Sequence, residues 1–316
     1  MVSVYYKSLL NSEEKKVYDE LVSGYMSLKD EITVDCSDVK TVWKIVDYVS
    51  MDRPDFFFVN FSHTAYRVGS QILLECEYFF SENQIKLYYN QVHEIGDKIV
   101  KQCTGKNDFG TALKLHDYLA KNIEYELYDD TPDSQRSIVG ALIRKQCCCA
   151  GYARAYKFLC EKAGIHCIYV RGDDKDGGPH AWNMVKINGN NYFVDVTYDD
   201  YRGEVFCSRE FFMLSTEELL RTHIPNPEYK LPKCEHSMSL LPVINTPQDL
   251  LDRLRHEKKF DPIFTEYRFI QPVDFDEFIN LLHSQCGVND YGIMNCIAGY
   301  SVKDKGKISV LGVRWK

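Results

Sequence analysis

The sequence predicts an α+β protein. Apolar residues recur at helical spacing in several segments, and alternating apolar and polar residues flank the turn dipeptide Asn188-Gly189. A chain of 316 residues with 45% hydrophobic side chains also has enough apolar mass to bury a sizeable core, in two or three domains.

From the N-terminus, Ser12-Glu13-Glu14 opens an amphipathic helix that runs through Met26. Ser37-Asp38 opens a second, with Val39, Val42, Ile45 and Val46 on one face. The break Asp52-Arg53-Pro54-Asp55 leads into the apolar run Phe56 to Val59, then a strand-like run from Ala65 to Phe80, then a helix near Glu82 to Cys103. No catalytic spacing occurs in this part, so residues 1–103 read as an accessory helical and stranded module whose aromatic residues are core. Residues 104–223 carry the chemistry. The stretch 224–247 holds five of the ten prolines and almost no periodicity, as in a linker or wrapping loop. Residues 248–316 alternate as a small α+β domain. Thr246-Pro247-Gln248-Asp249 starts a helix, Ile263 to Ile270 reads as a strand, and Asp274 to Ser284 as a helix. Closing strands at Ile293 to Val302 and Lys307 to Trp315 flank Asp304-Lys305-Gly306.

Several function classes are disfavoured. A net charge of −8 without any dense Lys/Arg run argues against a nucleic-acid partner. The N-terminal residues lack a basic segment followed by an apolar one, and no apolar stretch reaches the roughly 20 residues of a membrane helix. The expectation is a cytoplasmic or already processed chain without a membrane partner. Twelve scattered cysteines, three of them adjacent at Cys147, Cys148 and Cys149, read as free thiols in a reducing compartment. No C-x-x-C and no histidine pair at i, i+4 occurs, so neither a metal nor another cofactor is expected. The acidic loop Asp173 to Gly178 lacks the spaced ligands of a calcium loop and reads as solvated.

The candidate chemistry begins at Cys149. After it, Tyr152, Tyr156, Leu159 and Ala163 share a helical face, which puts Cys149 at or just before a helix N-terminus. Unpaired N–H groups and the helix dipole stabilise a thiolate there, and the same N–H groups can hold an oxyanion. Gly164 ends that helix, and His166 to Val170 returns as a buried strand. A polar loop, Arg171 to Pro179, precedes the run His180 to Ile187, the Asn188-Gly189 turn, and the run Asn190 to Val196. A two-residue turn pairs Ile187 with Asn190 and sets His180 opposite Thr197. Asp195 then lies diagonally adjacent on the same face, about 7 Å away between backbones, within side-chain reach. A slip of one residue would part them. A thiol at a helix start, a histidine, and a carboxylate facing the histidine are the parts of an activated cysteine nucleophile. Cys147 and Cys148 read as small buried hydrophobes.

Three blocks, Cys149-Ala150-Gly151-Tyr152-Ala153, His180-Ala181-Trp182-Asn183 and Asp195-Val196-Thr197-Tyr198-Asp199, resemble the core pattern of the transglutaminase-like superfamily in order and spacing. Only the tryptophan of the last block is replaced, by Tyr198. The helix Ala112 to Lys121 with Ile123-Glu124-Tyr125 resembles the segment before the family's nucleophile, and the Asp52 to Phe57 run resembles the region preceding the core in bacterial members. The resemblance implies a papain-like core, with a helix bearing the nucleophile packed on an antiparallel sheet. It also implies that Cys149, His180 and Asp195 converge as a catalytic triad acting on peptide or protein amides through an acyl-enzyme. Hydrolysis is expected over transfer to an amine; a catalytically silent partner-binding module is the alternative. Gln146, Tyr125, Trp182 and Tyr152 are candidates for the oxyanion hole or the substrate wall.

Overall fold

Helix starts in this chain are set by side chains that satisfy the first unpaired N–H groups. The computed structural model describes residues 4–126, 135–175, 177–200, 207–238, 240–257, 264–285, 303–304 and 307–314. After a short helix α1 (Tyr5–Ser8), Asn11 caps α2 (Ser12–Met26), accepting from the Glu14 N–H at 3.0 Å while the Glu14 carboxylate accepts from the Asn11 N–H at 3.0 Å. After β1 (Glu31–Val34), Asp38 caps α3 (Val39–Asp52).

The run from Ala65 to Phe80 is part of a hairpin, not one strand: β2 (Val59–Val68) and β3 (Gln71–Tyr78) pair from Val68–Gln71 outward. Gly69 turns the chain at φ +62°, a conformation open to glycine. The three strands form a sheet in the order β1-β3-β2. Then follow α4 (Glu82–Cys103) and α5 (Asp108–Asn122), whose cap Asn107 accepts from the Gly110 N–H at 2.8 Å.

Two very short parallel strands, β4 (Glu124–Tyr125) and β5 (Gln146–Cys147), bring the end of α5 beside the start of α6 (Cys149–Lys162). A five-stranded antiparallel sheet follows, built from β6 (Cys167–Asp174), β7 (Pro179–Ile187), β8 (Asn190–Val194), β9 (Phe212–Leu214) and, beyond the short helix α7 (Thr216–Leu219), β10 (His223–Pro225). Its order is β10-β6-β7-β8-β9. The segment between β6 and β7 is shorter than the Arg171–Pro179 loop expected, because pairing continues through Asp173↔Pro179. Asn188 and Gly189 both have positive φ, 51° and 86°, and the register Ile187↔Asn190 through Asn183↔Val194 is the one the two-residue turn dictates.

Helix α6 packs across β6 and β7, and α4 and α5 pack on α6. One buried cluster extends from Tyr6 to Cys234. The N-terminal segment is fastened to it by polar contacts: the Tyr6 hydroxyl donates to the Tyr169 carbonyl at 2.7 Å, and Arg171 pairs with Asp47 of α3. Residues 230–238 and 240–242 have no regular structure, yet Cys234 is buried. A second, smaller core joins β11 (Val243–Ile244), α8 (Pro247–Glu257), β12 (Phe264–Asp274), α9 (Phe275–Gln285) and β14 (Lys307–Arg314), with β13 (Lys303–Asp304) paired to β14. The expected strand at 293–302 lies outside the described residues, as does the turn at 305–306. Among the described residues, no helix is long and apolar enough to cross a membrane.

Candidate active site

Cys149 is the first residue of α6, with Cys148 as its N-cap. The close packing of this helix start depends on Gly151. A Cβ there would sit 2.5 Å from Cys147 Cβ and 2.6 Å from the Gln135 carbonyl oxygen, closer than any side-chain carbon tolerates. Cys147 is fully buried, and burial pushes its thiol well above the ordinary range.

The thiols of the next two cysteines are hydrogen-bonded to each other. A hydrogen bond from Cys149 holds the Cys148 thiol down to about 6 against its burial, helped by the Ala150 and Gly151 N–H groups of the first helical turn. The same contact with Cys148, then burial and the nearby Asp195 charge, push Cys149 up. Cys148 is buried, as expected from its place in a cysteine triplet. Cys149 is the partly exposed thiol of the three, and its sulfur faces the backbone N–H of Ala181, next to His180.

His180 lies in β7, and Asp195 directly follows β8. The hairpin register joins them: His180 Nε2 is 2.6 Å from Asp195 Oδ2. Asp195 is fully buried and accepts four hydrogen bonds. Oδ1 takes the Thr197 and Tyr198 N–H groups at 2.9 and 3.2 Å, and Oδ2 takes His180 and also His223 Nε2 at 2.9 Å. Burial alone would raise the Asp195 carboxyl, but the charges and donors of His180 and His223 hold it well below the usual carboxylate range. For His180, burial opposes protonation; Asp195, by charge and hydrogen bond, with Asp174 and Cys148, outweighs it and the imidazole is raised. A proton on Nε2 facing Asp195 leaves Nδ1 as the ring atom able to exchange one with a thiol.

Aromatic rings enclose the imidazole. Trp182 stacks at 5.8 Å between centroids and Tyr198 lies at 4.8 Å, its hydroxyl bonded to Asp174. Trp182 is buried with an indole N–H that has no partner among the described residues. The other wall candidates are placed differently. Tyr152 is fully buried beneath the helix, its hydroxyl 2.7 Å from both the Ile123 carbonyl and the Asp200 carboxylate. Gln146 is exposed and donates to Glu124 at 3.2 Å, while Tyr125 is half-buried and paired through its backbone with Cys147.

Sequence reasoning missed His223. It is fully buried, and its only signal was a histidine at the edge of the proline-rich stretch. A second buried network was missed as well: His116 lies between Asp117 at 3.1 Å and Asp199 at 3.0 Å, and Arg209 pairs with Asp117. Burial disfavours charge on His116, but the two carboxylates raise it to about 9. Among the described residues, two groups each bring three metal-capable atoms within 4.8 Å of one another, His180-Asp195-His223 and His116-Asp117-Cys207. In each, the carboxylate is already engaged by hydrogen-bond donors.

Cysteines at the start of a helix, and a histidine held by a buried carboxylate on the hairpin that this helix packs against, lie in a papain-like α+β core. Residues 95–196 match the model of the transglutaminase-like superfamily, and this segment is a transglutaminase-like core domain. Kyphoscoliosis peptidase of Mus musculus is 29% identical over 109 residues, an alignment covering 28% of this chain and 16% of that protein. Among solved structures, a TGase aligns at 10% identity over 53% of this chain and 50% of its own, with a TM-score of 0.33. A candidate cysteine protease from Cytophaga hutchinsonii aligns at 15% identity over 52% of this chain and 65% of its own, with a TM-score of 0.32.

Proposed function

We propose that this protein is a cysteine-dependent acyl-transfer enzyme that acts on peptide or protein amides, with Cys149 as nucleophile, His180 as general base and acid, and Asp195 as the group that orients His180. The observation that carries the reading is the 2.6 Å contact between His180 Nε2 and Asp195 Oδ2 on a hairpin whose Ala181 N–H meets the Cys149 sulfur. In this reading Cys149 gives its proton to His180 Nδ1 and its sulfur attacks the amide carbonyl carbon. The C–N bond breaks as the imidazolium returns the proton to the leaving amine, and a thioester remains. Water, deprotonated by His180, attacks the thioester and releases the acid and the thiol. Hydrolysis is favoured over transfer to an amine because water needs no second binding site. The N–H groups at the start of α6 and the buried Trp182 indole N–H are the candidate oxyanion donors. Free thiols at all ten described cysteines suit a reducing, cytoplasmic compartment.

Turnover of a mixed peptide pool, read by mass spectrometry for new termini or new amide links, tests the reading. Wild type is expected to turn peptides over, Cys149→Ala to be inactive with an unchanged circular dichroism spectrum, and Cys148→Ala to retain most activity. An active Cys149→Ala beside an inactive Cys148→Ala would move the nucleophile to Cys148.

A further inference from the structure

His223 lies outside the three motif blocks, yet its Nε2 shares Asp195 Oδ2 with the His180 ring, 2.9 Å on one side and 2.6 Å on the other. We propose that His223 is a positioning residue that fixes the Asp195 carboxylate, and through it the tautomer and angle of His180. The proposal rests on the triad reading above.

The chain brings His223 there by a specific route. Strand β10 pairs with the far edge of β6, His223↔Asp174 through Pro225↔Gly172, while Gly172 is also the partner of His180 across β6 and β7. A Cβ on Gly172 would collide with the Ile224 carbonyl oxygen and lie 2.8 Å from Trp182 Cη2. The missing side chain lets β10 press onto the sheet at the level of the triad. The two imidazoles then approach to 5.4 Å between centroids, and His223 is enclosed by Trp182, Tyr198 and Phe211.

The proton on His223 is also directed. Thr222 Oγ1 lies 2.7 Å from His223 Nδ1. A carboxylate can only accept, so the His223 ring carries a hydrogen on Nε2 aimed at Asp195, and the Thr222 hydroxyl, which also reaches the Leu219 carbonyl at 3.3 Å, supports that tautomer when it turns its hydrogen to Nδ1. Asp195 then has no idle lone-pair direction: two backbone N–H groups hold Oδ1 and two imidazoles hold Oδ2. Without the His223 donor, Oδ2 would be held by His180 alone, the carboxylate could turn more easily about its Cβ–Cγ bond, and more of its charge would fall on His180. Two effects follow: looser orientation of His180, and a proton held more tightly on it.

Alkylation of Cys149 by iodoacetamide as a function of pH reads the Cys149–His180 pair without a known substrate. The titratable groups around that pair include Cys148 of α6, Tyr169 and Asp174 of β6, Asp195, Tyr198 and His223 itself. His223→Phe keeps a ring and removes the donor; the loosened His180 is expected to slow Cys149 labelling roughly tenfold to a hundredfold at neutral pH, and the proton held more tightly on His180 to extend the labelling profile to lower pH. His223→Gln places an amide N–H near the position of Nε2 and is expected to restore most of the rate. Thr222→Val, which leaves His223 in place but frees its tautomer, is expected to give a smaller loss with the same shift. If His223→Phe folds and labels with the wild-type rate and profile, or if Gln fails where Phe fails while Thr222→Val is silent, the positioning role is overturned. A wild-type protein with no fast-reacting Cys149 would overturn the triad reading instead.

Discussion

Replacing Asp195 by Asn keeps the shape of the side chain and removes its charge, and the hydrogen bonds around it make the consequence calculable. The carboxylate accepts from donors on both sides: Thr197 and Tyr198 N–H on Oδ1, His180 and His223 on Oδ2. An amide has one acceptor and one donor end. With its NH2 towards the histidines, His180 must shift its proton from Nε2 to Nδ1 and can no longer act as base. With its oxygen there, the NH2 faces two backbone N–H groups. Either way a charge-assisted hydrogen bond is lost and donors are left unpaired in a fully buried site. The loss is on the order of 2–4 kcal/mol, which as a barrier is roughly thirtyfold to a thousandfold in kcat, with little change in KM. The wild-type carboxyl, held below its unfolded value, contributes stability that is present above about pH 4 and fades as the pH falls towards its folded value. The Asn variant should lose that acid limb. Steady-state turnover and urea unfolding between pH 3 and 8 measure both effects. An Asp195→Asn protein with the wild-type pH–rate profile would reduce the site to a Cys149–His180 dyad and refute the reasoning.

Three other outcomes are expected. His116, raised from its ordinary 6.5 to about 9 by Asp117 and Asp199, contributes stability that is fully present below about pH 6.5 and lost as the pH rises through 9. That contribution is on the order of 3 kcal/mol, less what it costs to keep Asp199 charged in the interior, and a His116→Phe variant should show a flatter dependence in urea unfolding between pH 6 and 9.5. Gly151→Ala forces a methyl group against Cys147 and the Gln135 carbonyl and should destabilise by about 1–3 kcal/mol, read as a lowered Tm, while displacing Cys149 from Ala181 and slowing its alkylation. Cys148→Ala removes the acceptor whose hydrogen bond is the first cause of the raised Cys149 thiol, so the Cys149 labelling profile should move to lower pH; a profile that stays put would mean this hydrogen bond does not hold the thiol up.

What could be read in the sequence follows how local its physical cause is. Asn188-Gly189 fixes both positive φ values and, through them, the register that brings Asp195 to His180, so that contact was legible from a dipeptide. The start of α6 was legible for the same reason: helical period after Cys149 and glycine at the contact with Cys147. His223 was not, because its neighbours are supplied by β6, by β7 and by the chain after β8, and no spacing along the sequence records that meeting. The His116–Asp199 contact spans 83 residues and was hidden likewise. The hairpin turn at Gly69-Ser70 was passed over although both residues favour turns, because β2 is largely exposed and gives no clear apolar run to end there. Strands β4 and β5, of two residues each, are too short to leave a period at all. The causes that lower the Cys148 thiol are a side chain one residue away and two N–H groups of the first helical turn, and composition treats it as one more buried thiol.

The account stands or falls on the acyl-enzyme. The most direct measurement is to incubate the protein with a peptide pool, quench in acid, digest, and locate any acyl group by tandem mass spectrometry. An acyl mass on the Cys149 sulfur that is absent from Cys149→Ala is the predicted result. An adduct confined to Cys148, or no adduct on either sulfur while peptides are still consumed, would contradict it.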